Sequence, residues 1–575
     1  MSSSTQPDAS LPRLSALWPP ERDAVGASAI ELLSATAADD LNVIEVIQAM
    51  VASDGPPNRL RQRERFARQV LSQLCQEAEV TAYRQDVLED LLADEQLRER
   101  LRELLPSLEA LSDVSSIPER FLAPGRESLD RISRRLGELE LYVDTARKLH
   151  SALPSESVRS AGMRRIRMEL DHLVGSERFV GLESALPALR ATLSSIKSVT
   201  IGLNLGPDLA PESATILGFG AERIDGRQTL LGRLLGGWGA EQALTPLRRG
   251  ERSPAAWQND LARDLLRLLQ DVATPVAAAL RGYASVSVQA LGRLGPELAF
   301  LLGGARLAER LQGAGLPTCR PQLLSAELRA TQIEEAYDPV LVLRLLSSAA
   351  DPGARVVTNP VTFDAALARV WVLSGPNRGG KTTYIRAVGL THVLGQAGLH
   401  VAGRSGRLSA VDAIFTHFPS RETVRPGLGR LDEEAERLGT IFRQATPHSL
   451  ILLNEALAGT SSFEAVDLAT GVVRGLRFLG ARAVYVTHLH ELAAAVAEIN
   501  ATTPGDGLVG SLVAEPGAAP TEVQLRTFRI RPGSPHGQSF AAAIADQHGI
   551  SFPQLLELLR QRGINAPESQ SGDLV

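Results

Sequence analysis

Residues 369–383, RVWVLSGPNRGGKTT, carry the signal around which the rest of the chain is ordered. An apolar run from Val370 to Leu373 breaks into a glycine-rich turn, and a helical pattern follows from Tyr384. Within it, Gly375-x-x-x-x-Gly380-Lys381-Thr382 fits the phosphate-binding loop pattern. The spacing has a physical reason. Gly375, Gly379 and Gly380 let the backbone take positive φ, so that successive N–H groups converge on phosphate oxygens. Lys381 adds a point charge for the β- and γ-phosphates, and the Thr382 hydroxyl can hold Mg²⁺. The helix that starts here aims its positive end at the same phosphates. A glycine-rich turn can match such a pattern by chance, but the strand before and the helix after argue against that here. Gly375, Pro376, Asn377, Arg378, Gly379, Gly380, Lys381, Thr382 and Thr383 are therefore the expected cradle for a nucleoside triphosphate.

At 575 residues the chain exceeds a single core and predicts several domains. The net charge of −6 creates no global field that demands a nucleic acid, so any basic site has to be local. Aromatic residues are only 4%, which leaves few platforms for stacking on single strands. The two cysteines, Cys75 and Cys319, lie far apart and fit a reducing compartment. No signal-peptide pattern and no apolar run long enough to cross a membrane is present, which predicts a soluble, cytoplasmic protein.

Along the chain, residues 1–27 read as a flexible tail and 28–150 as a helical core domain. Leu97, Leu101, Leu104, Leu105 and Leu108 recur at helical spacing, as do Leu129, Ile132, Leu136, Leu139 and Val143. Pro106, Pro118 and Pro124 are expected to punctuate linkers. Residues 151–350 read as lever helices with a β-containing insertion. Val199, Ile201, Leu203 and Leu205 alternate as in a strand, Gly206-Pro207 ends it, and 214–219 can pair with it. Arg164, Arg165 and Arg167, and then Arg248, Arg249 and Arg252, could meet DNA phosphates or form ordinary solvated faces. One long helix is expected from Trp257 to Leu311, kinked at Pro275. Residues 351–560 form an α/β domain, with a tail at 561–575.

In that α/β half a family resemblance appears. Gly375-Pro376-Asn377-x-Gly379-Gly380-Lys381-Thr382-Thr383 resembles the phosphate loop of the MutS family of DNA mismatch-repair ATPases, which belongs to the ABC class. Further matches follow in the family's order. They are Asn359, then Asp412-x-Ile414-Phe415-Thr416, Leu431 and Glu434 of a degenerate ABC signature, and 449–455 (SLILLNE). After these come Gly459-Thr460-Ser461, Thr487-His488 with Glu491-Leu492, and Gln538-Ser539-Phe540-Ala541. The resemblance is strongest over 355–559. It implies an all-α core and lever region with a small β-containing clamp, followed by an α/β P-loop ATPase domain of ABC type.

The residues also make sense on their own chemistry. Leu450 to Leu453 reads as a buried strand, so Glu455 emerges at its carboxyl end, where parallel sheets place ligand chemistry. A carboxylate there can orient or deprotonate the water that attacks a γ-phosphate. His488 follows the apolar strand 483–486, where the resemblance implies a γ-phosphate-sensing histidine. Lys381, Glu455 and His488 are the expected catalytic set, and Thr382 and Asn454 the expected metal contacts. Three departures from the family pattern stand out. Asn454 replaces an aspartate and so lacks the charge that helps hold the ion. Gly429-Arg430-Leu431 replaces serine-threonine-phenylalanine, which puts Arg430 where a hydroxyl would face a partner's nucleotide. Val356 stands where an adenine-stacking aromatic is often found. No phenylalanine is followed two positions later by glutamate, so the mismatch-wedge motif of the family is not visible and a short member is expected.

The expectation is an ATP- and Mg²⁺-using ATPase, possessing slow or fast turnover, that binds duplex, mismatched or branched DNA as an ATP-gated homodimeric clamp. In the alternative, the chain is a weakly hydrolysing nucleotide switch that scaffolds other proteins.

Overall fold

The structure, a computed structural model, describes residues 14–22, 32–51, 55–113, 129–194, 197–207, 211–222, 274–280, 283, 289–348, 350–376, 378–419, 430–457, 462–516, 526–533 and 551–562. The chain is multidomain and mostly helical, with several sheets. It divides into two compact units, residues 1–23 with 89–299 and residues 24–88 with 300–575. In chain order the first helices are α1 (Ala35–Asp40), α2 (Val43–Met50), α3 (Pro57–Ser72) and α4 (Ala78–Ala93), the last crossing the boundary between units. No helix among the described residues is long and apolar enough to cross a membrane.

The first unit holds α5 (Glu95–Asp113), α6 (Leu129–Ala152), α7 (Ala161–Gly175), α8 (Glu177–Ser194), the strands β1 (Ser198–Leu205) and β2 (Pro211–Gly220), and α9 (Gln289–Gly292). Leu97, Leu101, Leu104, Leu105 and Leu108 are all buried, so the helical spacing in the sequence is the face that packs. The expectation that Pro106 lies in a linker is corrected. It sits inside α5. Proline costs a helix interior about 3 kcal/mol, and burial of a leucine side chain returns roughly 1.5–3 kcal/mol, so the leucine stripe outweighs the lost bond. Pro118 and Pro124 lie outside the described residues.

Between α6 and α8, Arg147 grips Glu183 through two bonds of 2.9 and 2.6 Å, and Arg190 holds Glu140 through Nε at 2.8 Å. Arg167 donates to the carbonyls of His150 and Leu153, both at 2.7 Å, so it closes the α6–α7 connection. Arg248, Arg249 and Arg252 lie outside the described residues. β1 and β2 pair antiparallel as the alternation predicts, with Ile201 opposite Ile216. The alternation nevertheless buries no face, because Ile201, Leu203, Leu205 and Leu217 are exposed. A two-stranded ribbon needs a second layer to cover a face. The helix expected to run unbroken from Trp257 to Leu311 lies partly outside the described residues. Its described part is interrupted at Arg293, between α9 and α10 (Leu294–Gly313).

The second unit contains the main sheet. Its elements are β3 (Thr318–Cys319), β4 (Gln322–Leu324), β5 (Thr331–Ala336), α11 (Pro339–Ser347), α12 (Pro352–Arg355), β6 (Asn359–Phe363), β7 (Val370–Ser374), α13 (Lys381–Gln396), β8 (Val401–Ala402), β9 (Ser405–Ser409), β10 (Ile414–His417) and α14 (Arg430–Gln444). There follow β11 (Leu450–Asn454), α15 (Ser462–Leu479), β12 (Arg482–Val486), α16 (His490–Ala494), α17 (Val496–Thr502), β13 (Val509–Pro516), β14 (Arg526–Pro532) and α18 (Phe552–Gln561). Six strands form one sheet in the order β10-β11-β12-β7-β13-β14, all parallel except the antiparallel edge β14. A second sheet of four strands runs β4-β9-β5-β6.

β7, β11 and β12 are buried along their whole length, which explains their uninterrupted apolar sequences. After β7 the chain builds β10, β11 and β12 on one side of it, then returns to place β13 on the other. The strand order thus reverses beside β7, and ligands of open α/β sheets bind outside the carboxyl ends at such a point. Residues from 24–88 belong to this unit by contact. Gln396 of α13, fully buried, donates to the Leu74 and Val411 carbonyls at 3.0 and 2.9 Å, and Asp40 accepts from Thr416 at 2.7 Å.

Candidate nucleotide site

β7 ends at Ser374 and the chain enters the glycine turn. Gly375 has φ +130° and Gly380 φ +88°, both in the region that favours glycine. A Cβ on Gly375 would come within 2.9 Å of Ala514 on the neighbouring β13. Arg378 takes φ +62° without being glycine. Asn377 lies outside the described residues. The helix α13 begins at Lys381, three residues earlier than the sequence pattern suggests, which puts the amides of the first turn next to the glycine turn. Lys381 is buried, and its Nζ donates to the carbonyls of Gly375 at 2.6 Å and Pro376 at 3.2 Å. Burial lowers its pKa, and the charge of Glu455 opposes that shift. The loop is already wrapped around its own cation.

From the neighbouring strands come the groups of opposite character. β11 ends in Asn454, whose Nδ2 lies 3.5 Å from Thr382 Oγ1. Its Oδ1 is buried and has no hydrogen-bond partner. A buried acceptor without a donor is costly unless something occupies the space in front of it. That orphaned oxygen beside a helix-start hydroxyl fits a hydrated Mg²⁺. Glu455 follows with φ +54° and is tied to the sheet by its own N–H, which donates to Val486 O at 2.9 Å. His488 stands two residues beyond β12 and is exposed. It is not among the residues that line the cavity described next.

A cavity of about 670 Å³ opens over the loop, with Arg378, Gly379, Gly380, Lys381, Thr382, Thr383 and Glu455 in its wall. The cavity is also lined by Tyr337, Asp338, Leu341, Leu345, Arg355, Val356 and Phe528. Asp338 caps α11 by accepting from Val340 N at 2.9 Å, and burial pushes its carboxyl up to about 6. Phe528 is an aromatic residue that lines the same cavity as Val356. It sits on edge strand β14 with its ring near Gly380, where an added Cβ would lie 3.4 Å from Cδ1. Asn359 holds it there, donating to Phe528 O at 3.0 Å and accepting from Ile530 N at 2.7 Å. Sequence reading missed Phe528 because its place depends on an antiparallel edge strand 169 residues from Asn359.

Gly429, the side chain of Arg430, Gly459-Thr460-Ser461 and Gln538–Ala541 lie outside the described residues. Glu434, in the segment expected to serve a partner's nucleotide, is buried and accepts from Leu457 N of its own chain at 2.7 Å. Nor do the described residues contain a cluster of acids, histidines or cysteines that could hold a metal by itself.

With this geometry in view, two family models match the chain. Residues 371–505 match MutS domain V, and residues 76–314 match the MutS2 N-terminal domain. The probable DNA mismatch repair protein Msh6 of Drosophila melanogaster is 34% identical over 181 residues, 31% of this chain and 14% of that protein. The DNA mismatch repair protein MutS of Desulfosudis oleivorans is 34% identical over 176 residues, 30% of this chain and 19% of that protein. DNA mismatch repair protein msh3 of Aspergillus oryzae is 29% identical over 236 residues, 40% of this chain and 20% of that protein. The matched part of the chain thus spans a fifth or less of the length of these relatives.

Proposed function

Since the chain belongs to the MutS family, we propose that it is an ATPase that binds DNA as an ATP-gated dimeric clamp. One observation carries the ATPase part. Lys381, Thr382 and Glu455 face one cavity at the carboxyl ends of β7 and β11, with the orphaned Asn454 Oδ1 behind Thr382. The N–H groups of Gly380, Lys381, Thr382 and Thr383 cradle the β-phosphate, and Gly375, Pro376 and Gly379 shape the loop, with the Gly379 N–H donating to Pro376 O at 3.2 Å. On nucleotide entry Lys381 exchanges the Gly375 and Pro376 carbonyls for β- and γ-phosphate oxygens. Arg378 adds a second cation to the same wall. Thr382 and Asn454 would hold hydrated Mg²⁺, which would supply positive charge to the triphosphate. Glu455 orients the attacking water and takes its proton, and the γ-phosphate-sensing role of His488, which does not line this cavity, rests on the family resemblance alone. Phe528 covers the base opposite Val356.

The clamp part rests on the family. Residues 28–150 act as core, 151–350 as lever and clamp, and 351–560 as the ATPase domain, whose facing copies close two sites in a homodimer. DNA is held mainly through phosphates, with little preference for a mismatch. Competition binding of matched, mismatched and branched duplexes at one fixed salt concentration, with and without ATP, tests this. A mismatch preference of about a hundredfold, ~2.7 kcal/mol, removes the expectation of phosphate-driven binding without mismatch discrimination, and sedimentation of Glu455→Gln as monomer alone with ATP and Mg²⁺ removes the dimeric clamp.

Asn454 favours a second reading. The metal contact has lost its charge, and a nucleotide switch that turns over slowly and scaffolds other proteins fits the same site. ATP binding without measurable turnover in the presence of DNA selects it.

A further inference from the structure

We propose that Glu434 is a positioning residue for hydrolysis. Its buried carboxylate on α14 holds the Leu457 N–H and so fixes the turn that aims Glu455 at the nucleotide. The inference rests on reading Glu455 as the base of the ATPase site.

The turn needs holding. The chain leaves β11 at Asn454 and passes through Glu455, Ala456 and Leu457. Glu455 and Leu457 have φ of +54° and +65°, a left-handed conformation in two residues that carry side chains. Such a conformation is strained for any residue but glycine, so it persists only where its surroundings over-determine it. Three bonds do that here. Glu455 N donates to Val486 O at 2.9 Å, Tyr485 Oη donates to Ala456 O at 2.8 Å, and Leu457 N donates to Glu434 Oε2 at 2.7 Å.

The three bonds have different origins. The first two come from β12, a strand buried on both sides and hydrogen-bonded to β11 along its length. They hold the turn to the sheet. The third comes from a helix that starts 25 residues before Glu455 in the chain and packs on the sheet by side chains such as Leu438 and Ile441. Burial pushes the Tyr485 phenol up, and the charge of Glu434 adds to that, so Tyr485 stays protonated and able to donate.

A plain dipole role does not account for Glu434. Asp432 and Glu433 already place acids in the first turn of α14 and are not buried. Glu434 is 9% exposed, and a carboxylate in that environment is costly unless donors reach it. A bond from a neutral N–H to a charged group is stronger than one between neutral partners, so it can offset the strain of a left-handed residue. The geometry therefore makes the direction of Glu455 depend on where α14 sits, which gives a movement of α14 a direct route to the hydrolytic step.

The test uses the full chain with Glu434→Gln, Glu434→Asp and Glu434→Ala, and with Glu455→Gln as reference. Steady-state turnover and the Kd for a fluorescent ATP analogue with Mg²⁺ are measured on each. Glutamine keeps an acceptor oxygen in place, aspartate draws it back by one methylene, and alanine removes it. The expected result is turnover within about threefold of wild type for Gln and at least tenfold lower for Asp and Ala, ~1.4 kcal/mol, with Kd unchanged throughout. Wild-type turnover in Asp and Ala overturns the proposal, and so does an equal loss in Gln and Ala or a Kd that moves in step with turnover. If Ala does not fold, the Gln and Asp pair decides. Unimpaired turnover in Glu455→Gln instead removes the reading on which the proposal rests, whereas a dead Glu455→Gln beside a flat Glu434 series removes the proposal alone.

Discussion

The two ends of the six-stranded sheet are built from the same strands and treat polar groups in opposite ways. At the amino end, charges are spent inside the fold. Arg482 donates to the carbonyls of Ser409 at 2.7 Å, Ala410 at 2.8 Å and His448 at 3.2 Å, and burial pushes its guanidinium down to about 9. Arg369 pairs with Asp506 at 2.7 Å, and Arg329 joins the same carboxylate. At the carboxyl end, Asn454 Oδ1 is left without a partner, Lys381 is held only by loop carbonyls, and Asp338 carries a raised pKa in the cavity wall. The amino end spends its guanidinium groups on carbonyls and a carboxylate, with Arg482 Nε and Arg369 Nε left over, whereas the carboxyl end lines a cavity with Lys381 and Asp338. Parallel strands force this asymmetry, because all of them deliver their last residues and helix N-termini to one side.

Breaking each end separately sharpens the contrast. The largest effect is expected at the carboxyl end. Glu455→Gln should cut turnover by about 10²–10⁴-fold, ~3–5 kcal/mol, while thermal stability and ATP affinity stay near wild type. Equal turnover in a steady-state assay would remove Glu455 as the base.

At the amino end the balance reverses. Arg482→Met leaves three buried carbonyls without their donor, and a loss of about 3 kcal/mol of unfolding free energy is expected. Denaturant titration reads the loss. ATP affinity of the folded fraction should not change, and a specific loss of nucleotide binding would blur the distinction between the two ends.

A smaller, pH-dependent effect is expected at Asp338. Its folded pKa is raised to about 6 from an ordinary 3.8. Between these values the folded state binds more protons than the unfolded, so stability is present at low pH and is lost as pH rises through about 6. Asp338→Asn keeps the cap of α11 and cannot ionise. It should gain up to ~3 kcal/mol at pH 7.5 and almost nothing near pH 4. Denaturant midpoints at the two pH values check this, and a constant difference would refute it.

The smallest change is at the metal contact. Asn454→Asp returns a charge next to Thr382, and the Mg²⁺ concentration needed for half-maximal nucleotide binding should fall about tenfold, ~1.4 kcal/mol. No change in a Mg²⁺ titration would detach Asn454 from the metal.

How far the site could be read in advance varied with the range of the interactions involved. The phosphate loop is local, and Gly375, Gly380 and Lys381 occupy their expected places because φ and amide direction are set within a few residues. Glu455 was legible from the apolar strand before it. Phe528, Asp338 and the inward turn of Glu434 were not. Each depends on a partner brought in by sheet order or helix packing, such as the Asn359 bonds to β14 and the Leu457 bond to α14. Pro106 failed in the other direction, since a rule about local hydrogen bonding yielded to a buried leucine face.

By itself the sequence determined that 370–373, 450–453 and 483–486 are strands, that Gly375 and Gly380, though not Gly379, turn through positive φ, and which end of β11 carries a carboxylate. These follow from side-chain periodicity and steric limits that act over a few residues. Only the tertiary structure decided that Phe528 lies near Gly380, that Asn454 is left with an unpaired oxygen beside Thr382, and that Glu434 accepts from its own chain's Leu457. The reason is that hydrogen-bond saturation and burial are properties of the packed whole. Whether a polar atom is satisfied depends on residues tens to hundreds of positions away, and no local pattern records them.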